Sequence, residues 1–263
     1  MMCSSRGKND PFYFPAFRFG TFDFRSLMSA QVFFFDDPLA YQEGLAIQHK
    51  LHAARVADEI PDTVLFLQHL PVITLGNRGR EHFLQVSKEE LSRQGIDVIR
   101  ASRGGDITYH APGQLIIYPI IKLGSHEADA HGYLYNLEEI AIRTANDFGV
   151  QAFRREGMNG AWSRAGKLAA IGFRLKKWVS LHGMSFNVNV DLAGFNVIIP
   201  CGLKGESVAS LKSILGKDCP RVDEVRSSMS THFEDVCGRK LKSDDPIVTK
   251  ALGPLQPLPS ERV

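Results

Sequence analysis

Residues 115–121, Leu-Ile-Ile-Tyr-Pro-Ile-Ile, are apolar almost throughout, and no other stretch limits the possible folds as strongly. A strand with one wet face alternates apolar and polar side chains, whereas an unbroken apolar run reads as a strand covered on both faces. The chain therefore needs a sheet with packed layers on either side. Its 263 residues, 44% of them hydrophobic, supply enough material for one large core.

The flanking patterns say which layers those are. A short strand is expected at 32–35, after which Asp37 can N-cap and Pro38 can open a helix to about Ala57 that buries Ala40, Gly44, Ile47, Leu51 and Ala54. Strands follow at 64–67 and 72–75. Ser87 with Glu90 three positions on reads as a capping-box start to a helix stopped by Gly95, and 96–101 returns as a strand. Leu134, Leu137, Ala141, Ala145 and Phe148 mark one stripe of a helix ended by Gly149. From 150 to 190 strand signals alternate with turn residues, as hairpins do. Helices resume at 206–215, with Ser207 as a helix-start residue, and at 222–236. Helices grouped beside hairpins predict an α+β fold, a mixed sheet with flanking helices. A catalytic domain is expected over 31–240, between an N-terminal extension (1–30, Phe-rich, disordered or transit-like) and a Pro-rich flexible tail (241–263).

Composition narrows the function. A formal charge of +2 with no basic tract argues against nucleic acid as the main ligand. No apolar stretch approaches the roughly 20 residues that cross a bilayer, so a soluble, non-membrane protein is expected. Cys3, Cys201, Cys219 and Cys237 are far apart without a CxxC pair, which fits neither a zinc site nor a secreted disulfide framework and suggests a reducing compartment. His49 and His52 lack a third ligand and read as two solvated helix histidines. Gly205-Glu206-Ser207-Val208-Ala209 approximates a nucleophile elbow but lacks the strand that should precede one.

Three segments have the makings of a site. The first is Arg103-Gly104-Gly105-Asp106-Ile107-Thr108-Tyr109-His110, where paired glycines permit close backbone approach amid charged, hydroxyl and imidazole groups. Read alone, it is equally a polar turn. The second is Gly166-Lys167-Leu168-Ala169-Ala170-Ile171-Gly172, which places an amine where a strand of small apolar residues begins. A solvated turn lysine is the plainer reading. The third is Ile199-Pro200-Cys201-Gly202, where an apolar run ends on a thiol between a stiff and a permissive residue. A free thiol is mostly protonated at neutral pH unless a cation favours its anion, and Lys167 is a candidate for that cation. Otherwise Cys201 is a small buried hydrophobe.

Together these segments, with Pro71 to Gly76, Trp178, His182-Gly183, and Asn187 to Asn189, resemble the lipoyl(octanoyl) transferases over residues 32 to 237. The resemblance implies the fold of the biotin and lipoate protein ligases. It implies Cys201 as the acyl-thioester nucleophile and Lys167 as the residue that lowers its pKa. It also implies substrate-binding roles for Arg103, Gly104, Gly105, Asp106, Ile107, Thr108, Tyr109 and His110, for Ala170, Ile171 and Gly172, and for Gly183, Met184 and Ser185. Ala111 departs from the glycine usual in the family after that histidine. The expected reaction moves octanoyl from octanoyl-acyl carrier protein to the lysine of lipoyl domains in 2-oxoacid dehydrogenase complexes and the glycine cleavage H protein. No metal and no ATP are expected, nor any nucleic-acid partner. A monomer in the cytoplasm is expected, or in a mitochondrion or plastid if 1–30 is a transit peptide. The alternatives are an ATP-dependent lipoate or octanoate ligase on the same fold and a non-catalytic acyl or lipoyl-domain binder.

Overall fold

The apolar run at 115–121 forms most of β6 (Gln114–Ile120), and every residue of that strand is buried. The structure is a computed structural model that describes residues 28–199, 206–243, 246, 248 and 249. Its helices are α1 (Tyr41–Val56), α2 (Lys88–Arg93), α3 (Ala130–Asp147), α4 (Leu211–Leu215) and α5 (Val222–Cys237). The other strands are β1 (Met28–Phe34), β2 (Asp62–Leu67), β3 (Val72–Leu75), β4 (Asp97–Arg100), β5 (Ile107–His110), β7 (Phe153–Arg155), β8 (Met158–Ser163), β9 (Gly166–Lys176), β10 (Val179–Asn187) and β11 (Arg239–Lys242).

An eight-stranded sheet runs in the order β11-β1-β2-β6-β10-β9-β8-β7, and a small sheet in the order β4-β3-β5. In the large sheet β1 pairs in parallel with β2 and β11, and the remaining pairs are antiparallel. The α+β reading is therefore correct. Alternation along β2 and β6 serves two cores. Val64, Phe66, Leu115 and Ile117 pack with Leu137 and Ala141 of α3 and with Val225 and Phe233 of α5. Leu65, Leu67, Ile116 and Tyr118 pack with Ile47 and Leu51 of α1. The small sheet has its own cluster, in which Ile73, Leu75 and Ile107 meet Leu91 of α2 and Phe195 and Ile198 of a later turn.

Four expectations need correction. Helix α1 begins at Tyr41 with Ala40 as an N-cap that makes no side-chain bond, so Asp37 and Pro38 do not start it. The chain there is held extended, because Leu39 N donates to Gln68 O at 2.9 Å and Leu39 O accepts from Leu70 N at 3.0 Å. The buried face accordingly includes Tyr41, Gln48 and His52, with Ala40 exposed and Ala54 half-buried. His49 is exposed, but His52 lies in the interior rather than in solvent.

Ser207 does not start a helix either. The helix there is α4, capped by Ser210, whose hydroxyl accepts from Ser213 N at 3.0 Å while Ser210 N donates to the Ser213 hydroxyl at 2.9 Å. Finally, the sheet extends into both expected appendages, since Met28 pairs with Arg239 and Ala30 with Leu241. A buried cluster fixes that edge: the Arg239 guanidinium donates to Asp62 at 2.7 Å, to both oxygens of Glu127 at 2.9 Å and to the Cys237 carbonyl at 2.8 Å. The rest of 1–30 and most of 241–263 lie outside the described residues. No described helix is long and apolar enough to cross a membrane.

Candidate active site

Residues 103–110 divide into a loop and the strand β5. The loop is clamped to β3 by Arg103, whose Nε and one terminal nitrogen donate to Thr74 Oγ1 at 3.1 and 2.8 Å, the latter also reaching Thr74 O at 2.6 Å. Gly104 N donates to Phe173 O at 3.0 Å and ties the loop to β9. Beneath it, Gly172 and Gly183 face each other across the β9–β10 register, beside the Ala170–Ser185 pair. A side chain at Gly172 would come within 2.8 Å of the Gly104 carbonyl, so this glycine is what lets the loop lie down on the sheet.

Between loop and sheet runs a cleft with about 510 Å³ of empty space, its open mouth included. Arg103, Gly105, Asp106, Ile107, Thr108, His110, Lys167, Ala170, Ile171, Gly172, Gly183, Met184 and Ser185 all line it. Gly104 and Tyr109 do not. Strand alternation turns Tyr109 to the opposite face, where its ring packs edge-on against Phe195 with centroids 5.5 Å apart.

Tyr41 and Tyr118 line the cleft and His69 backs them, three features that sequence reasoning missed; they come from α1, the middle of β6 and the loop after β2. His69 Nδ1 meets the Leu39 carbonyl at 3.1 Å and its Nε2 meets the Tyr118 hydroxyl at 2.8 Å. A carbonyl only accepts, so Nδ1 carries the proton and Tyr118 donates to Nε2. His110 is set in the same way: Gln114 Nε2 donates to Tyr109 O, which turns the Gln114 carbonyl oxygen towards His110 Nδ1 at 3.0 Å. His182 adopts a left-handed backbone (φ 59°) and sits with Nε2 3.1 Å from the Ser102 hydroxyl, its own N–H donating to Gln48 at 2.8 Å.

Burial makes this wall neutral. It pushes His69 down to about 4 and His110 and His182 down to about 3, with Arg103 adding repulsion at the last two and His69 at His110. It also pushes the Tyr41 phenol up to about 12. Only sequence-distant segments build this wall, so no local spacing could have signalled it; Tyr118 is hidden inside the apolar run that identified β6.

Lys167 stands at the other side of the cleft, half-buried, at the start of β9. Its backbone is fixed by Ser207 O, which accepts from Lys167 N at 2.9 Å, and by Ala209 N, which donates to Lys167 O at 3.0 Å. The amine lies 5.2 Å from the centroid of the Trp162 ring. Gly160 leaves its stem room, since a Cβ there would approach Lys167 Cε to 2.8 Å. Lys167 also lines a smaller adjoining pocket with Thr108, Ala170, Ser185, Asn187, Phe195 and Val208.

Cys201 lies outside the described residues. On either side of 200–205, Phe195 and Val208 line the smaller pocket; Ile198 shares their apolar cluster, and Ile199 N donates to Phe83 O at 2.8 Å. Of the other cysteines, Cys219 is half-buried and Cys237 buried, its thiol pushed up to about 12 by burial, as suits a packing group. Among the described residues no cluster of three or more His, Cys, Asp or Glu side chains could hold a metal ion.

The family model of the lipoyl protein ligase A/B catalytic domain matches residues 40–234. The octanoyltransferase of Caldicellulosiruptor saccharolyticus is 43% identical over 204 residues, covering 77% of this chain and 86% of the relative. That of Geobacter metallireducens is 42% identical, covering 77% and 92%. The chain belongs to the octanoyltransferases of this family. It is thus an acyltransferase. Its fold is shared with a bi-partite lipoate protein ligase from Thermoplasma acidophilum (TM-score 0.68, 15% identity, 86% of this chain and 91% of that one). It is shared as well with lipoate-protein ligase A bound with ATP (TM-score 0.66, 14% identity, 86% and 93%).

Proposed function

We propose that this enzyme transfers an octanoyl group from octanoyl-acyl carrier protein to the acceptor lysine of lipoyl domains, through a thioester on Cys201. The supporting observation is the placing of Lys167: its amine opens on a cleft with an apolar floor, beside the two chain segments that flank Cys201. In the first step the Cys201 thiolate attacks the donor's thioester carbonyl. The Cys201 thioester forms as the donor's bond breaks, and the carrier's thiolate leaves and takes a proton. In the second step the neutral lysine amine of the acceptor attacks that thioester. An amide forms, the Cys201 thiolate is released, and the proton shed by the attacking nitrogen passes to Lys167 or to water.

Thioester exchanges for thioester at little cost and the amide is the more stable product, so the reaction needs no ATP. Lys167 favours the thiolate electrostatically. The histidines of the cleft are held neutral by burial and serve as shape and hydrogen-bonding groups. The expected acceptors are the lipoyl domains of 2-oxoacid dehydrogenase complexes and the glycine cleavage H protein.

Incubation with octanoyl-acyl carrier protein followed by peptide mass spectrometry is expected to place the octanoyl mass on Cys201. Mass on another residue defeats the assignment. Lys167→Met should lower turnover by roughly 10²- to 10⁴-fold, the range for loss of a proton-transfer group. If free octanoate plus ATP supported transfer in Cys201→Ala, the enzyme would be a ligase instead.

A further inference from the structure

A second feature borders the cleft. Residues 77–80 form a loop that interlocks with residues 103–106: Gly76 N donates to Asp106 O at 2.7 Å, Asn77 N to Arg103 O at 2.9 Å and Arg78 N to Gly105 O at 3.1 Å. The contact is close enough that a Cβ at Gly76 would lie 2.5 Å from the Gly105 carbonyl and 2.7 Å from the Arg103 guanidinium. The two loops therefore keep a fixed relation. On its outer side the 77–80 loop presents Arg78 and Arg80, both exposed, into an open depression that Phe83 and Asp106 complete.

Asp106 lines this depression and the cleft alike, so the two spaces adjoin. The Phe83 carbonyl accepts from the backbone N–H of Ile199 at 2.8 Å, two positions before Cys201 in the sequence. The charges do not cancel. Asp106 stands 4.0 Å from Arg78 Nε, while Arg80 makes no ion pair with any described residue, leaving one positive charge in excess among the lining residues. The neighbouring Glu81 is already taken by Lys88 at 3.1 Å and Arg100 at 3.9 Å.

We propose that this depression binds the phosphate of the acyl donor's phosphopantetheine arm, with Arg78 and Arg80 as its ligands. The inference rests on the thioester-donor reading above. A phosphodiester carries one negative charge, which matches the surplus, and arginine forks suit phosphate oxygens. The Phe83 ring offers an apolar wall to the branched methyl groups beside that phosphate. An arm anchored here runs past Asp106 towards the cleft, which puts its thioester end near the Lys167 pocket and its protein end in solvent.

The test compares octanoyl-phosphopantetheine with octanoyl-pantetheine as donors, with a lipoyl domain as acceptor. The wild-type enzyme should favour the phosphorylated donor by roughly ten- to a hundredfold in kcat/KM, mostly through KM, as expected for charge-assisted hydrogen bonds at an exposed site. In Arg78→Ala/Arg80→Ala that ratio should fall towards one, and Arg78→Lys/Arg80→Lys should restore part of it. The preference should also shrink as salt is raised, because both arginines are exposed. A wild-type enzyme indifferent to the phosphate, or a double alanine variant that keeps the preference, overturns the site. Failure of the wild type to take an octanoyl group from octanoyl-acyl carrier protein itself overturns the donor reading and the site with it.

Discussion

Three imidazoles give this site an acid sensitivity that carboxylates do not explain. His69, His110 and His182 have ordinary values near 6.5 when unfolded and are depressed to about 4, 3 and 3 in the folded chain. The unfolded chain therefore binds more protons below neutrality. The stability each contributes is complete above about pH 6.5 and is lost progressively as pH falls towards the depressed values. Melting temperature should drop between pH 7 and 5, where most carboxylates are still ionised, at roughly 1 kcal/mol per pH unit for each histidine. A melting temperature flat over that window would show that these rings are not buried neutral. Arg103 makes a second prediction at this scale. Two of its nitrogens hold the cleft's loop on β3 through Thr74 and the third braces the loop at the Gly104 carbonyl, and Arg103→Lys keeps the charge but not the fork. Transfer by that variant should fall about tenfold or more with the fold intact, measured as kcat/KM beside circular dichroism.

Among the elements, the Arg239 cluster decides the far edge of the sheet. The guanidinium is almost fully buried and serves Asp62 of β2 and Glu127 of the loop after β6, so removing it takes the cation from Glu127 and leaves Asp62 with Arg55 as its cation. Arg239→Met should cost about 2–3 kcal/mol in urea unfolding, more than an ordinary surface change and enough to separate this cluster from a dispensable tail. Helix α4 offers a smaller check: Ser210→Ala removes one half of its reciprocal cap and should cost about 1 kcal/mol. Elements with strong local patterns were legible in advance. The unbroken apolar run of β6, the stripe of α3 and the β7 to β10 hairpins all follow from periodicity and turn chemistry. The errors fall where tertiary pairing overrode a local signal. Asp37-Pro38 looks like a helix start, but the bonds of Leu39 to the Gln68–Leu70 segment keep that stretch extended; Ser207 looks like one too, but its carbonyl is engaged by Lys167.

For the molecule as a whole, the likeness of ordered segments made the family readable, and the cleft gathers most of the residues so named. What could not be read was the wall made by Tyr41, His69 and Tyr118, because three separate elements supply it and each residue looks ordinary in its own window. Tyr109 shows the complementary limit: a residue inside a functional motif can face the supporting core, since neighbours in a strand point opposite ways. The pairing of β1 with β11 has a further consequence for synthesis. The first described strand acquires its outer neighbour from residues 239–242, among the last of the described chain, so during translation it waits with one edge unpaired. A ribosome stalled before residue 239 would release a chain with an open strand edge ready to join another copy, and such fragments should be found in inclusion bodies rather than in the supernatant.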